Sequence, residues 1–172
     1  GPIWAVASTV SCTVSLVFLG MDQSAVVPPA IAIQPGGIHS ADSFPGVDPS
    51  GLTDSKAGLQ AAIDAIAIGG GGTLMLTAGK TYLVNPAATG IGLLLRTGVR
   101  LAGYGNIIFV SSAASAAFTG ISPYGHNTTS TAYGAHEMEI QDIGVGCDDE
   151  TSVHTHSLIG INHCPRGLIR GV

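Results

Sequence analysis

Residues 44–84 read FPGVDPSGLTDSKAGLQAAIDAIAIGGGGTLMLTAGKTYLV. Asp48-Pro49-Ser50-Gly51 is a turn by composition, because Pro fixes φ and Gly accepts positive φ. Thr53, Asp54 and Ser55 supply oxygen acceptors for the free amides of a helix start. Leu59, Ala62, Ile63 and Ile66 then recur at helical spacing, so one apolar stripe faces a core while Lys56, Gln60 and Asp64 lie off it. The glycine run Gly69 to Gly72 ends the helix. The spacing predicts a capping helix over about 54–68, followed by short strands at 73–76 and 81–84 around Ala78-Gly79-Lys80.

Further short strands are expected at 92–95, 99–101, 106–110, 138–145, 157–161 and 168–172, all bounded by Gly, Pro, Asn or Asp. No second amphipathic helix of comparable quality appears. Such a run admits a sandwich, a barrel or a solenoid. Two features favour the solenoid. The Asn-Gly and Asp-Gly signals of tight hairpins are missing between the strands. The segments 98–101, 138–143 and 167–172 also resemble one another, with aliphatics on one face beside an outward Arg, Glu or Gln. No strict period can be read.

The bulk numbers set limits around this core. The chain has 172 residues, room for one domain and a small appendage. Charged residues make up 10%, and the net charge is −5 with 45% hydrophobic residues, so the chain is not of disordered composition. Lys and Arg number 6, none before Lys56, which excludes the basic footprint of a nucleic-acid binder and disfavours an anionic membrane surface. Cys12, Cys147 and Cys164 are odd in number and lack CxxC spacing, which speaks against a disulfide framework and a zinc site.

Residues 3–21 carry no charge, yet a basic signal-peptide start is missing and Ser and Thr interrupt any membrane span. Ser11, Thr13 and Ser15 alternate with Val10, Cys12, Val14 and Leu16, the period of a half-buried strand. No membrane insertion is expected. Pro28, Pro29, Pro35 and Gly36-Gly37 read as an extended linker. The expected organisation is thus 1–40, a strand and linker, and 41–172, the main domain.

The segment 44–84, followed by TGVRLAGYG at 97–105, resembles the opening of the pectate-lyase-like right-handed parallel β-helix superfamily. There a phrase like FGAxGDGxTDDTxAIQAAIDAA precedes GGGTVYLPAGTYL and SGVRLxGEG. Here GVDPSGLTDSKAGLQAAID, GGGGTLMLTAGKTYLV and TGVRLAGYG stand in the same order, and 137–172 matches later coils more loosely. The resemblance implies an all-β fold: the first coils of a single-stranded right-handed parallel β-helix, with an N-terminal capping α-helix and a preceding strand and linker. It makes Gln60, Asp64 and the glycine run structural. Two departures stand out, Gly58 inside the helix and Thr77-Ala78 in place of the usual Pro-Ala. By propensity Gly58 costs about 1 kcal/mol relative to Ala.

Members with this opening include phage tailspikes and tail fibres as well as secreted pectate lyases and polygalacturonases. The leading segment and the Ala/Gly/Ser/Thr-rich surface match the phage group. That group implies the N-terminal portion of a homotrimeric tailspike in the virion tail. It would attach to other tail or baseplate proteins through residues before Ser40 and recognise a bacterial surface polysaccharide. The alternative is a fragment of a secreted polysaccharide-degrading enzyme, and a non-catalytic adhesin is the third possibility. Val172 falls within an expected strand, so the chain is expected to be truncated at that end.

Candidate chemistry is sparse. Glycosidic cleavage uses paired carboxylates about 5–9.5 Å apart. The one acidic cluster is Asp148-Asp149-Glu150, beside His154 and His156, which share a face if they lie on a strand. The acidic cluster is a candidate acid/base pair or metal site, against a solvated loop. His154 and His156 are candidate metal ligands with no third partner nearby, His163 lying seven residues beyond His156. No EF-hand pattern is present, and no cofactor is expected. The NTD and GHG segments of the superfamily's hydrolases are not found, so these 172 residues alone are expected to be inactive on glycosidic bonds.

Overall fold

The computed structural model describes residues 31–86, 90–110, 118–123, 137–148, 157–160 and 166–172. They lie within one compact unit, 31–172, and the expected leading strand lies outside them. Strand β1 (Gly37–Ser40) leads through a 3-10 turn (Ala41–Ser43) to helix α1 (Lys56–Ile68). Then come β2 (Gly72–Leu76), β3 (Thr81–Val84), β4 (Ile91–Leu95), β5 (Val99–Gly103) and β6 (Asn106–Phe109). They are followed by β7 (Thr119–Pro123), β8 (Glu139–Gln141), β9 (Gly144–Cys147), β10 (Ser157–Ile159) and β11 (Leu168–Arg170).

From β2 onward, each strand pairs in parallel with the strand three places further along the chain. Three sheets result: A with order β1-β2-β5-β8-β11, B with β3-β6-β9 and C with β4-β7-β10. Parallel pairing needs a long connection, and here each connection is the rest of one coil. The winding is that of a parallel β-helix. Successive partners Leu74, Leu101, Ile140 and Ile169 lie 27, 39 and 29 residues apart, which explains why no period was legible. No helix among the described residues is long and apolar enough to cross a membrane.

The strand positions largely follow the sequence pattern, with three differences. The stretch 138–145 is two strands, because Asp142 adopts φ 53° and turns the chain between β8 and β9. Strand β7 was hidden by its Gly120 and Pro123. Strand β1 lies within the stretch read as linker, yet pairs with β2 along its full length. Its pattern is inverted, with Ile38 outward and exposed and His39 inward and buried, so hydrophobic alternation could not reveal it.

The first edges of sheets B and C are closed by side chains and a short bridge. An open strand edge presents unpaired N–H and C=O groups. On β4, the Leu94 N–H donates to Gln60 Oε1 at 2.8 Å, and Gln60 Nε2 donates to the Leu94 carbonyl at 2.9 Å. One carboxamide on α1 thus replaces a strand residue. Asp64 accepts from the same Gln60 Nε2 at 3.0 Å and from Arg96 Nε at 2.6 Å, fixing the amide's orientation. On β3, Asp54 forms a parallel bridge with Leu83, and the Ser55 N–H donates to the Leu83 carbonyl at 2.8 Å. The helix buries Leu59, Ala62, Ile63 and Ile66 in the same core as the coils.

The two departures from the family pattern acquire reasons. A Cβ on Gly58 would stand 2.5 Å from the Gly46 carbonyl carbon, so the preceding loop lies directly against the helix backbone and alanine has no room. The expected penalty relative to alanine therefore does not describe this site. Thr77 donates its N–H to Tyr82 Oη at 3.0 Å and its hydroxyl to Asp42 Oδ2 at 2.8 Å. Tyr82 in turn donates to Asp42 Oδ1 at 2.6 Å. A proline at 77 would lack the N–H that this network uses. Burial, reinforced by the Asp42 bond, pushes the Tyr82 phenol above its usual range.

At the helix start Asp54 Oδ1 accepts from the Lys56 N–H at 2.9 Å, so one of the three expected oxygen acceptors serves a free helix amide. Ser55 is the N-cap residue but makes no capping bond; its hydroxyl accepts from the Asp48 N–H at 2.8 Å instead. Asp48 organises the loop, accepting from the Ser50 hydroxyl at 2.5 Å, the Ser50 N–H at 2.9 Å and the Thr53 N–H and hydroxyl at 2.8 Å. The Ser50 hydroxyl leads the bonds that hold the Asp48 carboxyl well below the usual carboxylate range.

Candidate functional site

Strand alternation divides sheet A into two ladders. Inward, His39, Leu74, Leu101, Ile140 and Ile169 are register partners; Leu74, Leu101 and Ile140 are buried in the core, whereas Ile169 on the last rung is exposed. Outward stand Ile38, Thr73, Arg100, Glu139 and Leu168, with Met75, Ala102, Gln141 and Arg170 two residues further along their strands. Because the strands stack about 4.8 Å apart, outward side chains on neighbouring rungs touch.

Charge concentrates on this outer face. Arg100 Nε lies 2.5 Å from Glu139 Oε2, and Arg170 Nη2 lies 2.5 Å from Glu139 Oε1. Glu139 is thus held by two guanidinium groups, one on each carboxylate oxygen. Arg170 also donates to Gln141 Oε1 at 2.9 Å, and Gln141 Nε2 donates to Asp142 Oδ2 at 2.7 Å. Glu137 and Arg166 pair at 2.6 Å beside them. Two carboxylates (Glu137, Glu139) thus meet three guanidinium groups (Arg100, Arg166, Arg170), and Asp142, held by Gln141, brings the formal charge of the face into balance in a chain of net charge −5.

Two shallow pockets flank Arg100 along the strand direction, and Thr73 lines both. One, of about 290 Å³, is floored by Gly70, Gly71, Gly72 and Gly98 and bordered by Glu137 and Glu139. The other, of about 270 Å³, is bordered by Ile38, Met75, Gln141, Asp142 and the exposed Tyr104. Glu137 and Glu139, which border the first pocket, are both paired with arginines. No group of three or more metal-ligating side chains occurs among the described residues.

The residues singled out from sequence stand elsewhere or beyond view. Asp148 is exposed at the end of β9 in sheet B, where its N–H donates to the Phe109 carbonyl at 3.2 Å. Asp149, Glu150, His154 and His156 lie outside the described residues. The outward Arg, Glu and Gln of the recurring segments were legible as a pattern but carried no functional reading. Their convergence required the register, which joins residues 39 and 29 positions apart.

No family model matches the chain. The mannuronan C5-epimerase AlgE4 of Azotobacter vinelandii is 35% identical over 108 residues, 59% of this chain. The strand register makes the chain a parallel β-helix, and the alignment makes it similar to this epimerase over that stretch. It spans 18% of the length of AlgE4. Among solved structures, the AlgE4 A-module of Azotobacter vinelandii has 28% identity and a TM-score of 0.49, covering 77% of this chain and 34% of that one. A double mutant of the tailspike protein of E. coli bacteriophage HK620 has 18% identity and a TM-score of 0.42, covering 76% of this chain and 34% of that one. The fold assignment for this β-helix rests on its own strand register.

Proposed function

We propose that this β-helix is part of a polysaccharide-binding or polysaccharide-processing protein, and that the outer face of sheet A is its saccharide-contacting surface. The observation that carries the reading is the Arg100–Glu139–Arg170 cluster flanked by two shallow pockets and the exposed Tyr104. Planar guanidinium, carboxylate and carboxamide groups offer paired bonds to adjacent hydroxyls, and an exposed aromatic face packs on the C–H side of a sugar ring. Binding to a panel of acidic and neutral polysaccharides by affinity electrophoresis tests it. Retardation by at least one polymer, lost in Arg100→Ala, is the expected result; no retardation by any would refute the reading.

Within that class the finer proposal is the N-terminal portion of a phage tailspike or tail fibre. In it, α1 caps the first coil of a domain spanning 41–172, residues before Ser40 attach to tail proteins, and three chains assemble around one axis. A trimeric mass by light scattering supports it. A second reading, a secreted polysaccharide-modifying enzyme, is favoured by the 35% alignment with a mannuronan C5-epimerase. Such a protein would be monomeric, and its full-length parent would change the uronate composition of mannuronan measured by NMR. In either case the 172 residues alone serve binding and not catalysis. Any saccharide conversion by them would overturn that.

A further inference from the structure

The outer face of sheet A changes character along its rungs. At its start stand Ile38 on β1, Met75 on β2 and Ala102 on β5, with Tyr104 two residues past Ala102. Ile38 and Tyr104 are large apolar groups left 71% and 74% exposed. Together with Met75 and Ala102 they border the pocket of about 270 Å³. Single exposed apolar residues need no explanation, but four around one concavity mark a contact surface. The volume falls just under the ~300–1,000 Å³ of small-molecule sites, so it suits one ring and its substituent and not a helix or strand. The pocket also has a polar border of Arg100, Gln141 and Asp142. Arg100 Nε is tied to Glu139 Oε2, and no hydrogen bond to the Arg100 Nη nitrogens occurs among the described residues. Glu139 is buried and its other oxygen is paired with Arg170, so the Arg100 guanidinium is anchored at one edge and open at the other. Gln141 and Asp142 are bonded to each other, which leaves Arg100 as the pocket's open donor.

We infer that this pocket takes an acetylated sugar, its acetyl methyl seated against Ile38, Met75 and Ala102 and its acetyl carbonyl accepting from an Nη of Arg100. This deepens the polysaccharide reading and rests on it. A ring bearing hydroxyls alone would satisfy Arg100 but leave the apolar border in water. A purely alkyl substituent would cover that border and strip water from the Arg100 nitrogens without replacing it. An acetyl group meets both demands, with a methyl and an acceptor two bonds apart. The sugar ring then packs its C–H side on Tyr104, whose aromatic face is open. Glu139 acts through Arg100 as a positioning residue, holding the Nε edge so that the Nη edge faces the ligand.

The test is calorimetric titration of the 172-residue chain with acetylated mannuronan and acetylated xylan oligosaccharides. Each is compared with the same sample after mild alkaline deacetylation, so that the acetyl group is the only difference. The expected result is binding of at least one backbone, tighter by about fourfold in its acetylated form, the effect of burying roughly one methyl group. Ile38→Ser, at an exposed position and checked for folding by its melting curve, should abolish that preference while the deacetylated sample binds as before. Equal affinities for the two forms would overturn the acetyl site and leave the polysaccharide reading standing. A preference that survives Ile38→Ser would seat the acetyl group elsewhere and overturn it as well. No binding of either backbone in either form would sink both.

Discussion

The two faces of sheet A are built from alternate residues of the same strands, yet they obey different rules. Inward, Leu74, Leu101 and Ile140 are fully buried and near-interchangeable in type. Outward, their chain neighbours Thr73, Arg100 and Glu139 differ at every rung, and Arg100 and Glu139 are joined by an ion pair. The inner ladder answers to volume, the outer one to chemistry. A stacked solenoid makes this separation because each rung touches only its neighbours, so outward positions vary without disturbing the core.

The comparison breaks first at the inner face. Leu101→Ala should destabilise by about 2–5 kcal/mol, because it removes a fully buried side chain and leaves a cavity between two rungs. Chemical denaturation reads this, and a loss below that of an outer-face variant would erase the distinction. Gln60→Ala should cost about 1–3 kcal/mol, since it leaves both Leu94 backbone groups on β4 without their partner. Gly58→Ala should also destabilise, by about 1–3 kcal/mol, because its methyl group meets the Gly46 backbone. A gain in stability there would mean that helix propensity outweighs the close packing. Arg100→Ala should change stability by no more than about 1 kcal/mol, as its partly exposed pair with Glu139 is screened by solvent.

The smallest effect is set by pH. Asp48 has its folded pKa depressed, so its contribution is fully present above the unfolded value of about 3.9 and is lost as pH falls below it. Tyr82 is the opposite case. Its folded pKa is raised, so its contribution is present below about 10 and is lost as pH rises through the folded value. Melting curves of Asp48→Asn should therefore converge on the unmodified chain in acid, and those of Tyr82→Phe should converge in alkali. Parallel offsets across the whole range would contradict both assignments.

Much of the fold was written locally. The stripe Leu59, Ala62, Ile63 and Ile66 identified α1, and the apolar strands bounded by Gly, Asn and Asp identified most of the coils. What escaped depended on contacts between distant residues. Strand β1 is inverted in polarity, and its pairing with β2 alone reveals it. Gly58 reads as a defect until the Gly46 backbone is found against it. The outer face escaped for the same reason: Arg100, Glu139 and Arg170 are ordinary surface charges in sequence, and coils of unequal length bring them into contact on adjacent rungs.

The most direct measurement compares polysaccharide binding and melting temperature in the unmodified chain and in the triple variant Arg100→Ala/Glu139→Ala/Arg170→Ala. If the outer face is the binding surface, affinity falls at least tenfold while the melting temperature moves by no more than about 4 °C, the shift expected for roughly 1 kcal/mol. Unchanged affinity in the triple variant, or a collapse of stability with it, would contradict the division of labour between the two faces.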